Sequence, residues 1–249
     1  MAIQPSARGF EAAAVDYDRA RPEYPETIAR WLVERLGLRP DRRVVDIAAG
    51  TGKLTRLLAV ECMNVVAIEP VTEMRSRLAA ALPGVQLLDG VAEDIPLEDG
   101  SVDAATVGQA FHWFDGDQAL REIHRIVRAR GSLAVVYNRR NLEDPLHAGI
   151  EAIISPLRGQ TPGHRTGRWR AAFDRTRLWE EVDELELAHV QHIDRQGVVR
   201  RVASTSFIAG LPSDRRADVL DQVRALVKRR PEPIDLPHVC ECFLWGRVP

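Results

Sequence analysis

The 249-residue chain is poor in cysteine and aromatics and has no excess of either charge. Its three cysteines, Cys62, Cys240 and Cys242, are too few and oddly numbered for a disulfide framework, and Cys240-x-Cys242 has no partner pair with which to build a metal site. Lysine plus arginine number 34 against 36 aspartate plus glutamate, a net charge of −2, so no basic field draws the chain to nucleic acid. The pairs Arg42-Arg43, Arg139-Arg140, Arg200-Arg201 and Arg215-Arg216 are interleaved with acids and read as solvated surface. No run approaches the roughly 20 apolar residues of a membrane helix, and Met1 to Gly9 lacks the apolar core of a secretory signal. A cytoplasmic, reducing location away from membranes is therefore expected. Repeats and low-complexity tracts are absent too, and a hydrophobic content of 45% with 28% charged residues is that of an ordinary globular chain.

What is present is concentrated in Val44-Val45-Asp46-Ile47-Ala48-Ala49-Gly50-Thr51-Gly52-Lys53. An apolar run suited to a buried strand meets an acid, then small residues whose glycines allow tight turning and close ligand approach. Leu54, Leu57 and Leu58 follow at helical spacing, so the turn aims a helix N-terminus, with its free N–H groups, at whatever binds there. A phosphate-cradling P-loop is excluded, because Ile47 and Leu54 stand where it needs glycine and a hydroxyl residue. A dinucleotide-binding GxGxxG, and with it an NAD-dependent oxidoreductase, is disfavoured because Thr55 replaces the third glycine. The next strand, Asn64 to Ile68, ends in Glu69, a carboxylate placed to accept ribose hydroxyl protons.

Strands and helices then alternate. Pro70 suits the first position of a helix whose apolar face is Val71, Met74, Leu78 and Leu82; Met74 falls in the first turn, as core or as a soft cover for an adenine face. Val85 to Asp89 and Val102 to Gly108 read as the third and fourth strands, Gln118 to Arg128 as a helix ended by Gly131, and Ser132 to Asn138 as a fifth strand. This order predicts an α/β, Rossmann-like, mostly parallel sheet with helices on both faces, and ligands at the C-terminal strand ends. Asp46, Glu69, Asp89 to Glu93 and Gly108 to Trp113 then face one crevice. Three aromatics and a histidine in Gly108-Gln109-Ala110-Phe111-His112-Trp113-Phe114-Asp115 have two readings: packing under the following helix, or His112 and Trp113 as the floor of a pocket with His112 as general base.

The expected organisation is a single domain over residues 1–249. Residues 1–25 form an N-terminal lid, 26–138 a cofactor-binding core that opens with a helix from Glu26 to Leu36, 139–231 a helical substrate cap inserted after the fifth strand with one interposed strand, and 232–249 a final strand.

Taken together, Asp46 to Thr55, Glu69-Pro70 with Met74, Ala92-Glu93-Asp94-Ile95-Pro96, Gln109 to Asp115 and Arg21-Pro22-x-Tyr24-Pro25 make the chain resemble class I S-adenosylmethionine-dependent methyltransferases of the small-molecule type, near the trans-aconitate methyltransferase-like group. The resemblance is good over about residues 15 to 140 and poor in the cap. It implies a seven-stranded sheet whose last strand inserts antiparallel, S-adenosylmethionine as cofactor, and no metal. The methionine moiety would lie on Asp46, Ala48, Gly50 and Gly52, the ribose on Glu69, and the adenine between Met74 and Ala92-Glu93, with Gln109 nearby and Tyr17 beside the sulfonium. His112, or secondly Tyr24, would take the acceptor's proton, and Arg21, Trp113 and Phe207 would bind a small-molecule acceptor, an aromatic or heteroaromatic one being favoured by the aromatic-rich pocket. Two departures stand out. Ala48 replaces the commoner first glycine, which predicts a backbone there that avoids positive φ; Val91 replaces a common acid, leaving Glu93 or a backbone group for the adenine amine. A non-catalytic protein that kept the fold is the alternative outside enzymes, and the oligomeric state is not written in the sequence.

Overall fold

The structure, a computed structural model, describes residues 20–249, so Tyr17 and most of the expected lid lie outside the described residues. Seven strands form one sheet in the order β3-β2-β1-β4-β5-β7-β6. They are β1 (Arg43–Ile47), β2 (Asn64–Ile68), β3 (Gln86–Leu88), β4 (Val102–Gly108), β5 (Val127–Arg140), β6 (Trp179–Ile193) and β7 (Ile234–Arg247). The pairs β1–β2, β1–β4, β2–β3 and β4–β5 are all parallel, and the last strand in sequence inserts between β5 and β6. The sheet order reverses between β1 and β4, which is where an open parallel sheet leaves a crevice at its strand ends. The described residues divide into two compact units.

The first unit comprises Tyr24–Asn138, Pro162–Leu187 and Cys240–Pro249. Alternation along β1 sends Val44 to one face and Val45 and Ile47 to the other. Helix α1 (Glu26–Arg35), through Ile28 and Leu32, and α2 (Lys53–Glu61), through Leu54 and Leu58, join the Val44 side. Helix α4 (Gly116–Ile126) covers the opposite side; Asp115 caps it by accepting the Gln118 N–H at 3.1 Å, and Ala119, Leu120, Ile123 and Ile126 are wholly buried. Each large aliphatic side chain so buried contributes about 1.5–3 kcal/mol.

Three local expectations are corrected. Helix α3 (Thr72–Ala81) follows Val71 as its N-cap, so Pro70 precedes the helix rather than opening it. Glu69 Oε1 accepts the Val71 N–H at 2.8 Å and keeps that stretch extended. Helix α4 stops at Ile126 and β5 begins at once, with Gly131 inside the strand. Val102 pairs with Val127 but Ala104 with Ser132, so extra residues bulge out of β5, with Arg130 at φ 65° and Gly131 placed where a Cβ would lie 2.6 Å from the Asp103 carbonyl.

Ala48, thirdly, does adopt the left-handed conformation, at φ 55°. Its neighbour Ala49 donates to the Ile68 carbonyl at 3.0 Å and Gly52 donates to the Ala49 carbonyl at 3.0 Å, so the reversal out of β1 must be made at residue 48 whatever its side chain. Left-handed backbone costs a non-glycine residue about 1–2 kcal/mol, and a glycine loses about 0.5–1 kcal/mol through its freer unfolded chain. Ala48→Gly is therefore expected to raise the melting temperature by about 1–4 °C in scanning calorimetry; a fall would mean that the Ala48 methyl packs too well to lose.

The second unit comprises residues 20–23, 139–161 and 188–239. Its core gathers Leu146, Ile150 and Ile154 of α5 (Pro145–Ile154), Val198 and Val202 of α7 (Arg195–Ala203), Ile208 of the short α8 (Ser206–Ala209) and Val219, Val223 and Val227 of α9 (Ser213–Val227). Beside it lies a buried polar knot. The His238 Nδ1–H donates to the Leu236 carbonyl and Nε2 accepts from the Arg201 guanidinium, both at 2.8 Å. Burial, then the Arg201 charge, pushes the His238 pKa down to about 2, so this histidine stays neutral and serves as an anchor for Arg201. In the first unit, α6 (Ala171–Arg175) completes the helices. No helix of the described residues is long and apolar enough to cross a membrane.

Candidate active site

The chemistry-bearing residues of the first unit collect at the C-terminal ends of β1, β2, β4 and β5. Asp46, 1% exposed, sits in β1 with both carboxylate oxygens occupied: Oδ2 accepts the Thr55 hydroxyl at 2.6 Å and Oδ1 the Thr106 hydroxyl at 2.9 Å. Burial pushes its pKa up to about 6; the two threonine bonds pull it back, and the charge of Glu69 adds to the rise. The two acids thus belong to one electrostatic site. Glu69, 4% exposed, straps the glycine turn: Oε2 accepts the Gly50 N–H and Oε1 the Val71 N–H, each at 2.8 Å, while burial pushes its pKa up. Each Glu69 oxygen has a second lone pair, so acceptance of ribose hydroxyls is compatible with this geometry.

Between the acids runs the turn from Ala48 to Gly52. Gly50 has φ 60° and Gly52 φ 86°, and a Cβ on Gly52 would come within 2.9 Å of Leu78 Cγ. Gly52 is the N-cap of α2 and, having no side chain, makes no side-chain capping bond. Met74 is 5% exposed, with its sulfur 3.8 Å from where a Cβ on Gly50 would stand. Ala92 is buried, and Glu93 Oε1 accepts the Asp115 N–H at 2.7 Å, tying the β3–β4 loop to the start of α4.

At the end of β4, Gln109 takes φ 61° and donates its N–H to the Val136 carbonyl at 2.8 Å. This strained residue releases the chain into the 3-10 turn Phe111–Trp113. The packing reading holds for Phe111 and not for His112 and Trp113. Phe111 is 1% exposed and packs on Phe114 and Phe173, whereas His112 and Trp113 remain partly exposed with their rings 5.0 Å apart. The His112 N–H donates to the Tyr137 hydroxyl at 3.2 Å. Tyr24 is 9% exposed, and its hydroxyl would meet a Cβ on Gly108 at 2.8 Å, so glycine at the end of β4 is what lets it approach.

Arg21 and Phe207 belong to the second unit. Arg21 Nη2 donates to the Ser204 carbonyl at 3.4 Å, and the Arg158 guanidinium lies 4.9 Å from the Phe207 ring centre. Asp46, Ala48, Gly50, Gly52, Glu69, Met74, Ala92, Glu93, Gln109, His112, Trp113 and Tyr24 all lie in the first unit.

Sequence reasoning missed four residues. Thr55 counted only as an absent glycine, yet its hydroxyl in the first turn of α2 orients Asp46; Thr106 does the same from β4. Tyr137 read as an ordinary strand residue, and His164 lay in a stretch whose pattern dissolves. A hydroxyl residue one helical turn beyond an acid–glycine turn was the only local signal for any of them.

Residues 45–135 match the family model described as a methyltransferase domain. Over 238 residues the chain is 34% identical to an uncharacterised methyltransferase of Mycobacterium tuberculosis strain H37Rv, with 94% of this chain and 93% of that protein covered. Among solved structures, the fold is similar to the YcgJ protein of Bacillus subtilis, at a TM-score of 0.58, 19% identity and coverage of 90% and 100%. It is also similar to geranyl diphosphate C-methyltransferase of Streptomyces coelicolor, at a TM-score of 0.52, 15% identity and coverage of 90% and 78%. With its sheet order, its acid–glycine turn and relatives of this kind along nearly its whole length, the chain belongs to the class I S-adenosylmethionine-dependent methyltransferases.

Proposed function

We propose that this enzyme binds S-adenosylmethionine in the first unit and transfers its methyl group to an O, N or C nucleophile of a small molecule. The observation that carries the reading is the pair of buried carboxylates, Asp46 and Glu69, on either side of the Ala48–Gly52 turn. Two buried acids suit a ligand that carries positive charge and hydroxyls together, and the N-terminal end of α2 beside them suits a carboxylate on the same ligand. The S. coelicolor neighbour was solved with S-adenosyl-L-homocysteine, which supports the same class of ligand here.

When bound, the cofactor supplies an electrophilic methyl on a sulfonium. Asp46 and the turn Ala48, Gly50 and Gly52 would hold its amino-acid end, Glu69 its ribose, and Met74 with Ala92 and Glu93 its adenine, with Gln109 closing the near side. Fixing two reactants in an attack pose removes roughly 7–11 kcal/mol of barrier without any covalent step by the protein. Tyr17 of the lid would add about 0.5–2 kcal/mol by facing the sulfonium. His112 takes the proton of the acceptor, with Tyr24 the second candidate. Tyr137 is no competitor for that role, because burial drives its phenol pKa upward and keeps it protonated. Trp113 would wall the acceptor, while Arg21, Phe207 and the substrate cap, residues 139–231 of a single-domain enzyme, would set its identity. The cytoplasm is the proposed location.

Isothermal titration calorimetry tests the cofactor half of this reading. S-adenosylhomocysteine is expected to bind at one site with a dissociation constant of roughly 1–100 µM, and NADH fluorescence is expected to be unchanged by the protein. Absence of heat with the former, or tight binding of NADH, would overturn it.

A further inference from the structure

Two neighbouring helices of the first unit leave an apolar recess between them. Helix α1 turns Ile28 and Leu32 into the core, and α2 turns Leu54 and Leu58 into it. A second stripe on each helix borders the surface. Ala29 and Val33 stand one turn apart on α1, Leu57 and Val60 one turn apart on α2, and together with Arg30, Glu34 and Glu61 they line a recess of about 230 Å³. Water against the apolar part of these walls finds few hydrogen-bonding partners, so its displacement is favourable.

The recess has a projecting neighbour. Met63, 80% exposed, and Val60, 77% exposed, are the two most exposed large apolar side chains among the described residues, and they stand three positions apart at the C-terminal end of α2. Single exposed apolar residues are ordinary, but a projecting pair beside an apolar recess marks a surface that a partner covers. The charges indicate which partner. Arg30, Glu34 and Glu61 are exposed and make no ion pair among the described residues. One patch thus holds a projection with a recess, and a cation with acids, and is complementary to itself. Self-complementarity is what a two-fold contact between identical chains requires, because residue i of one copy meets residue j of the other while j meets i. We infer that this face of α1 and α2 is the contact between two copies of the chain, the Val60–Met63 projection of each covering the recess of the other and Arg30 of each meeting Glu34 or Glu61 of the other.

Sedimentation equilibrium of the full chain, from about 1 to about 100 µM, tests this. The unsubstituted protein is expected to be a dimer with a dissociation constant of about 1–10 µM. Val60→Asp should weaken association about 30-fold or more, the scale of losing an interface anchor. Arg30→Glu makes the patch wholly acidic, and Glu34→Arg with Glu61→Arg makes it wholly basic; each variant alone should be a monomer, and their equimolar mixture should sediment as a dimer. All four substituted side chains are exposed, so melting temperature and S-adenosylhomocysteine affinity should stay at the parent values, which separates loss of contact from loss of fold. A monomer throughout that range in the unsubstituted protein would overturn the inference and give the recess to a partner of another kind. A dimer that persists in Val60→Asp or in either charge variant, or a mixture of the two charge variants that stays monomeric, would overturn it as well.

Discussion

Asp46→Asn is expected to make the ligand-free protein more stable at pH 7.5 and to weaken S-adenosylmethionine binding roughly 10- to 100-fold, the loss of one charge-assisted hydrogen bond. The folded protein holds Asp46 at a pKa of about 6, above the ordinary value of 3.8. Below pH 3.8 the carboxyl is protonated whether the chain is folded or not, and it costs nothing. Between 3.8 and 6 the unfolded chain gives up the proton while the folded one retains it, so stability falls as pH rises. Above 6 the cost is constant, on the order of 3 kcal/mol.

Asparagine escapes that cost. Its oxygen still accepts from one threonine, and the other hydroxyl turns to accept from the amide. One charge-assisted bond becomes neutral, which leaves a net gain of about 2 kcal/mol, or ~4–8 °C in melting temperature. The difference between variant and parent should be near zero at pH 4 and reach its plateau above pH 6.5. A stability difference that does not change with pH would show that Asp46 is not held protonated by burial. Undiminished cofactor affinity would remove it from the cofactor site.

His112→Ala is expected to lower the turnover number about 10²- to 10⁴-fold, the usual worth of a positioned general base, with S-adenosylhomocysteine affinity near that of the parent. The bond from this turn to Tyr137 is made by the backbone N–H, so it survives the substitution, and a partly exposed side chain carries little of the fold. Release of S-adenosylhomocysteine at saturating acceptor measures the effect. A loss of less than about tenfold would mean that the methylated atom needs no base. The same measurement on Tyr24→Phe then decides whether the base is Tyr24, whose hydroxyl lies against Gly108.

How much of this was legible beforehand depends on how local each interaction is. The strand–turn–helix at Val44 to Leu58 could be read because apolar alternation, an acid and two glycines are properties of neighbouring residues. The same holds for Glu69 at the end of β2 and for the aromatic turn after β4. Expectations failed where a distant group decided. Ala48 turns left-handed because Ala49 is held by Ile68 of the adjacent strand, and β5 starts early because its bulge is set by pairing with β4. Thr55 looked like a lost glycine until Asp46 was seen to use its hydroxyl.

The amino-acid order alone determined the class of fold, the place of the glycine turn after β1 and the acids that flank it, since periodicity and turn chemistry act over a few residues. Only the tertiary structure decided that Thr106 would share Asp46 with Thr55, that Glu69 would strap the turn through Gly50, and that His164 would come to rest on Tyr137. Those partners are separated by 60, 19 and 27 positions in the chain. Contacts at such range follow from strand order and core packing, which no short stretch of sequence contains.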